Sequence, residues 1–411
     1  MDEEQSPVPA ADRDAPPPIP LPDVPMDGGE VRVTTGIGEL DRALGGGVVA
    51  GSLVLIGGDP GVGKSTLLLL AAEQLARRGG TVLYASGEES ARQIRLRADR
   101  LGVSSERILL LSETDLSRIE ATCRNVKPRL LVIDSVQTVT TAEGVAGSPS
   151  QVRDVAHQAL VLAKTTGMAV FLVGHVTKSG DLAGPKLLEH LVDTVLVFEG
   201  DGRTGLRVLR AVKNRFGAAG ELGLFEMGEE GLLEVPDASA RLLLERAADM
   251  PGTAVVAAME GTRPVLAEVQ ALVGRPGAQM AARTTVGIDR NRLLMLAAVL
   301  GKIGMPLYDR DVFANAAGGL DLSEPGVDLG IAAALASSFS ERPCPAHTLW
   351  IGEIGLVGEV RAVGHTRARL KEAARHGFRR AIVPATGAPE GPEGMEIVPV
   401  RSVREALALL R

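Results

Sequence analysis

A chain of 411 residues with a formal net charge of -7 is too long for one core and too acidic for a surface coated in basic groups. Its 45% hydrophobic and 23% charged residues suit a soluble globular protein, and no run of 18 apolar residues offers a membrane span. Cys123 and Cys344 stand far apart, so neither a zinc site nor a disulfide framework is expected, and a reducing cytoplasm is the natural compartment.

Residues 1–30 hold eight prolines and eight acidic residues, with Arg13 the only basic one. Such a segment buries too little apolar surface to offset its ordering entropy and reads as a disordered tail. From Val31 the texture changes. "TGIGELDRALGGG" gives a short helix and a glycine turn, followed by a strand (53–57), a loop and a helix (64–78). Strands follow at 81–86, 107–112, 130–135, 169–175 and 194–200, with an arginine-rich helix at 89–101. These strands are near-continuous apolar runs separated by helical stretches, the mark of a parallel sheet covered on both faces. Residues 201 to about 235 read as short strands with glycine turns, and "SARLLLERA" (239–247) as a linker helix. A second alternation of strands and helices starts near Gly252. It includes "TLWIGEIGLVGEVRAV" as a hairpin, and it gives an α+β domain. The expected organisation is a tail (1–30), an α/β domain (31–235), a linker (236–250) and a second domain (251–411).

"GDPGVGKST" (Gly58, Asp59, Pro60, Gly61, Val62, Gly63, Lys64, Ser65 and Thr66) matches the phosphate-loop pattern, with a strand before it and a helix after it. The glycines let backbone N–H groups curl around phosphates at a helix N-terminus. Lys64 neutralises the β/γ oxygens, and the Ser65 hydroxyl serves Mg²⁺. ATP with Mg²⁺ is therefore the expected ligand. Asp134, closing the apolar strand "LLVIDS", is the expected second Mg²⁺ partner. Hydrolysis also needs a carboxylate that polarises water. "SGEES" supplies Glu88 and Glu89, of which Glu88, the first to leave the strand, is preferred. His175, at the end of another strand, is a candidate γ-phosphate sensor, although a lone histidine is often only structural.

Here a resemblance becomes specific. The phosphate loop preceded by "TGIGELDRALGGG", the "SGEES" strand end, "GHVTKSGDLAGPKLLEHLVD" and above all "KNRFG" (Lys213, Asn214, Arg215, Phe216, Gly217) resemble the RecA-like core of the bacterial RadA/Sms family. The resemblance covers roughly residues 31–411. It implies a homohexameric, DNA-dependent ATPase motor. Such a motor binds single-stranded DNA and branched junctions and promotes branch migration in recombinational repair beside a recombinase. In such rings a neighbouring subunit inserts a cation at the ATP site, so Lys213 and Arg215 are placed to supply that cation or to grip DNA phosphates. Lys178 and Lys186 fall in the loop corresponding to the DNA-binding loop of RecA-like proteins, and 140–154 would be the other central loop.

Residues from about 251 onward resemble a Lon-type protease domain. That enzyme's serine corresponds to Asp328, and Arg367 lies near the place of its lysine. An arginine stays protonated and cannot act as a base, so no protease activity is expected. Arg361, Arg367, Arg369, Lys371, Arg375, Arg379 and Arg380 stand against Glu372 alone, either as a duplex-DNA surface or as a solvated helix face. The family usually starts with a four-cysteine zinc ribbon, whereas this sequence has no C-x-x-C pair. Either the ribbon is lost or the start lies downstream of the true one.

Overall fold

The computed structural model describes Pro20 and residues 32–141, 145–174, 188–200, 206–228, 231–244, 246, 249–275 and 281–410. The expected tail apart from Pro20, together with His175, Lys178, Lys186 and part of the 140–154 loop, lies outside the described residues.

Arg32–Arg411 forms one compact unit. It opens with β1 (Arg32–Val33) and β2 (Val48–Val49), a short antiparallel ribbon around α1 (Gly38–Ala43). A nine-stranded sheet follows. Six strands are parallel: β3 (Leu53–Gly58), β4 (Val82–Ser86), β5 (Ile108–Ser112), β6 (Leu130–Asp134), β7 (Ala169–Val173) and β8 (Thr194–Gly200). Three antiparallel strands extend it: β9 (Leu206–Asn214), β10 (Leu222–Gly228) and β11 (Gly231–Glu234). The order β11-β10-β9-β8-β3-β7-β6-β4-β5 places the phosphate-loop strand β3 centrally, between β8 and β7. All residues of β3, β4, β6 and β7 are buried, which is why these segments read as unbroken apolar runs.

The helices are α2 (Lys64–Arg77), α3 (Ala91–Arg100), α4 (Leu116–Val126) and α5 (Pro149–Thr166). Local chemistry sets their ends. Ser90 and Gln93 close a capping box at the start of α3, two residues later than the sequence suggests. Ser148 caps α5, with Pro149 at its first position, and Gly167 ends it at φ 71.

The linker helix, α6, is shorter than expected. It spans Ala238–Leu243, capped by Asp237, which accepts from the Ala240 amide at 2.9 Å. Beyond it lie β12 (Thr253–Glu260), β13 (Arg263–Gly274), β14 (Arg283–Val286), α7 (Arg290–Lys302), β15 (Asp311–Ala316), α8 (Asp328–Ser340) and β16 (Thr348–Trp350). Then come β17 (Glu353–Ile354), β18 (Val360–Arg361), α9 (Thr366–Arg375), β19 (Arg380–Pro384), β20 (Glu396–Val400) and α10 (Val403–Leu407). The seven-stranded order is β14-β15-β13-β12-β16-β19-β20. The expected hairpin over 348–363 is divided. β16 pairs in parallel with β12 and β19 around the buried Trp350, and only β17 and β18 form a hairpin. Helix α8 packs so closely on β12 that a Cβ on Gly330 would lie 2.1 Å from Val256 Cγ1.

The two sheets share a core through β9 and β10. Alternation sends Leu206, Leu222 and Leu224 toward Leu242, Ala258 and Val265. Leu209, Ala211 and Phe225 face the opposite core with Ile56 and Phe198. Polar contacts support this junction. Glu39 accepts from the Leu224 amide at 2.9 Å and from Arg263 at 3.0 Å, and Arg210 reaches Glu260 at 2.6 Å.

Candidate nucleotide site

Strand β3 runs straight into the phosphate loop, and α2 begins inside it. Two glycines are obligatory for steric reasons. A Cβ on Gly58 would lie 2.3 Å from the Phe198 carbonyl oxygen, and Gly63, capping α2, sits at φ 115. The Lys64 ammonium lies back on its own loop, donating to the Gly58 and Asp59 carbonyls at 2.8 and 3.0 Å. Burial lowers its pKa, although Asp134, Glu88 and Asp59 pull the other way.

The adjacent strand ends supply the acids. Asp134 closes β6 in register with Ser86 of β4 and is buried. Glu88 lies close enough to Lys64 to act on its charge, and it accepts a short hydrogen bond from the buried Ser135 hydroxyl. Glu89 turns away: its carboxylate pairs with Arg97 of α3, and its amide donates to Ser86 Oγ at 3.0 Å. Lys64, Ser65, Asp134 and Glu88 are therefore brought together, while Glu89 is tied to the next helix. Thr66, Arg97 and Arg100 line a cleft beside the loop, closed by Met227 and Gly228 of β10.

Two participants escaped the sequence reading. One is Ser135. The other is Tyr84 on β4, whose hydroxyl donates to Asp134 Oδ2 at 2.6 Å. Burial first, then the Asp134 charge, lifts the phenol's pKa well above its ordinary value. The available signal was a tyrosine inside an aliphatic strand, since a buried phenol requires a partner.

The "KNRFG" segment closes β9 and turns. Lys213 donates to the Val192 carbonyl at 2.9 Å and, in a shorter contact, to that of Glu189. Burial, with the neighbouring Arg215 charge, holds its ammonium below the ordinary lysine value. Asn214 donates to the Leu44 carbonyl at 3.1 Å and accepts from the Phe216 amide at 3.0 Å. Arg215 is half exposed and reaches Asp193 at 3.5 Å. Lys164 stands 5.7 Å over the Phe216 ring and also pairs with Asp193 at 3.0 Å. Gly217 closes against the glycine turn, its Cα 3.5 Å from where a Cβ on Gly45 would fall. Asp193, buried and holding the Leu53 amide as well, is a hub that no local pattern announced.

In the second half, Asp328 is completely buried, gripped by Arg292 through two hydrogen bonds and by the Ile354 amide at 2.9 Å. Arg367 is exposed, whereas Arg369 is buried against Glu324, at 2.7 Å to Oε2. The expected solvated face around α9 is thus only partly free. Arg361, Arg375 and Arg380 pair with Glu353, Asp237 and Glu396, carboxylates that come from other parts of the chain. Burial pushes the Cys123 and Cys344 thiols up to about 11 and about 12, so neither is a ready nucleophile.

Curated relatives match along almost the whole chain. DNA repair protein RadA of Bacillus subtilis (strain 168) is 50% identical over 383 residues, covering 92% of this chain and 84% of its own. DNA repair protein RadA of Pseudomonas aeruginosa is 51% identical over the same shares. The chain belongs to the RadA family of DNA repair proteins. Within this RadA-family chain, residues 15–181 match the sequence family described as AAA domain, and residues 268–387 match that described as subunit ChlI of Mg-chelatase. Among solved structures, the KaiC-like protein PH0186 from Pyrococcus horikoshii OT3 is 22% identical, with a TM-score of 0.43. It covers 50% of this chain and 99% of its own. The ATPase half has the RecA-like P-loop fold, and among the described residues no helix is long and apolar enough to cross a membrane.

Proposed function

We propose that the chain is a DNA-dependent ATPase motor that binds single-stranded DNA and promotes branch migration of recombination intermediates. It works in the cytoplasm as a homohexameric ring beside a recombinase. The observation that carries the reading is the convergence of Lys64, Ser65, Asp134 and Glu88 around one phosphate loop. A buried ammonium between carboxylates, at the N-terminus of a helix, suits a polyphosphate better than any uncharged ligand.

In this mechanism Lys64 exchanges the Gly58 and Asp59 carbonyls for the β/γ oxygens of ATP. The residues fit Mg²⁺: a buried carboxylate on Asp134, held by the Tyr84 phenol, and a hydroxyl on Ser65 at the start of α2. When bound, the ion supplies charge neutralisation between the phosphates. Glu88, oriented by Ser135, polarises the attacking water and takes up its proton. Thr66 and the cleft along α3 receive the nucleoside. His175 senses the γ-phosphate in this reading, and Lys178, Lys186 and Arg215 hold the DNA backbone. The Lon-like half contributes no peptidase chemistry, because its serine position holds Asp328, already committed to Arg292.

Lys213 is read as the cation offered to a neighbouring subunit's ATP. To act there it must surrender two carbonyls of its own subunit. The exchange links neighbour contact to the chain entering β8.

The test is ATP turnover with and without single-stranded DNA. Single strands should raise turnover several-fold, and Lys64→Ala should reduce it below about one hundredth. Turnover indifferent to DNA would favour a nucleotide switch without a motor.

A further inference from the structure

We infer that Tyr84 is a positioning residue for the Mg²⁺ ligand Asp134, its phenol holding one oxygen of that carboxylate from the neighbouring strand. The inference rests on the proposed ATPase reading and extends it to a residue outside the phosphate loop and the acidic strand ends.

Strand β4 lies between β5 and β6, and Tyr84 stands in register with Leu110 on one side and Val132 on the other. The residue is 1% exposed, so packing alone would be served equally by phenylalanine. The oxygen has a specific task. It donates to Asp134 Oδ2 at 2.6 Å from the neighbouring strand. With Oδ2 committed to the phenol, Oδ1 is the carboxylate oxygen left for a cation. Groups that orient metal ligands in this way are typically worth about 10–100-fold in metal affinity.

The experiment titrates Mg²⁺ against a fixed concentration of the full-length chain with a fluorescent ADP analogue, starting in EDTA. Tyr84→Phe removes one oxygen and leaves the packing intact. It should bind the analogue in EDTA within about two-fold of the parent, while the Mg²⁺ concentration at half effect rises about 10-fold or more. Mn²⁺ bound in the ADP complex, followed by electron paramagnetic resonance, should weaken by the same factor. Tyr84→Leu, which also removes the ring, should lose more thermal stability yet show the same metal shift. An unchanged Mg²⁺ midpoint in folded Tyr84→Phe overturns the inference, as does an affinity loss of equal size with and without metal. In either case the nucleotide-binding reading survives. If the parent chain binds no nucleotide, both fall.

Discussion

At the scale of single residues, the site divides between what spacing announces and what only folding assembles. The phosphate loop, Lys64, Ser65 and the strand-end Asp134 can be picked out by spacing alone, and the fold sets them side by side. Ser135, Tyr84 and Asp193 cannot be picked out that way, because their partners lie 47, 50 and 22 positions away or more. The neighbouring acids Glu88 and Glu89 show the same contrast. They are adjacent in sequence, yet one faces Lys64 and Ser135 and the other Arg97. Glu88→Gln should therefore keep ATP affinity within a few-fold and lower kcat by about 10²-fold or more, because a general base acts mainly in the transition state. Glu89→Gln should leave kcat within about three-fold and cost only a partly exposed ion pair. Single-turnover hydrolysis of both variants checks this, and equal losses would refute the assignment.

At the scale of elements, the buried parallel strands were readable from their apolar runs, and most observed bounds fall within two residues of the expectation. Elements carrying mixed patterns were harder. Strand β16 was merged into a hairpin, because its three residues are followed closely by the two-residue β17. The sequence pattern does not announce β14 and β15: β14, at the sheet edge, alternates half-buried and exposed positions, and β15 beside it buries only every second residue. Helix α8 poses a different question, because a carboxylate occupies its first position with no access to water. The pairing with Arg292 comes from α7, so one ion pair joins the two helices through the interior. Asp328→Ala should strand that guanidinium and lower stability by about 3–5 kcal/mol, measured by denaturant unfolding. A loss below about 1 kcal/mol would mean that Arg292 finds another partner at little cost. The doubly apolar replacement of Asp328 and Arg292 should recover much of the loss.

At the scale of the whole molecule, assembly can be tested through Lys213. Lys213→Ala and Lys64→Ala subunits, each inactive alone, are mixed and their turnover measured. Where an intact phosphate loop meets an intact neighbouring lysine, part of the activity should return. No rescue in rings that demonstrably mix would confine Lys213 to its own subunit, where it already holds the Glu189 and Val192 carbonyls. The α/β and α+β character of the two halves was legible in the sequence, but their manner of joining was not. Period-two alternation in β9 and β10 reveals two apolar faces without naming the core each one enters. That alternation also bears on how the chain could be divided. Leu206, Leu222 and Leu224 belong to the second core although they sit on strands of the first sheet. A fragment of residues 32–235 should therefore bind a hydrophobic dye and aggregate, whereas a monodisperse fragment with a sharp melting transition would contradict the shared core. The ATPase half is thus no interchangeable cassette: any lineage that replaced its companion would have to refit the inner face of β9 and β10 in the same step.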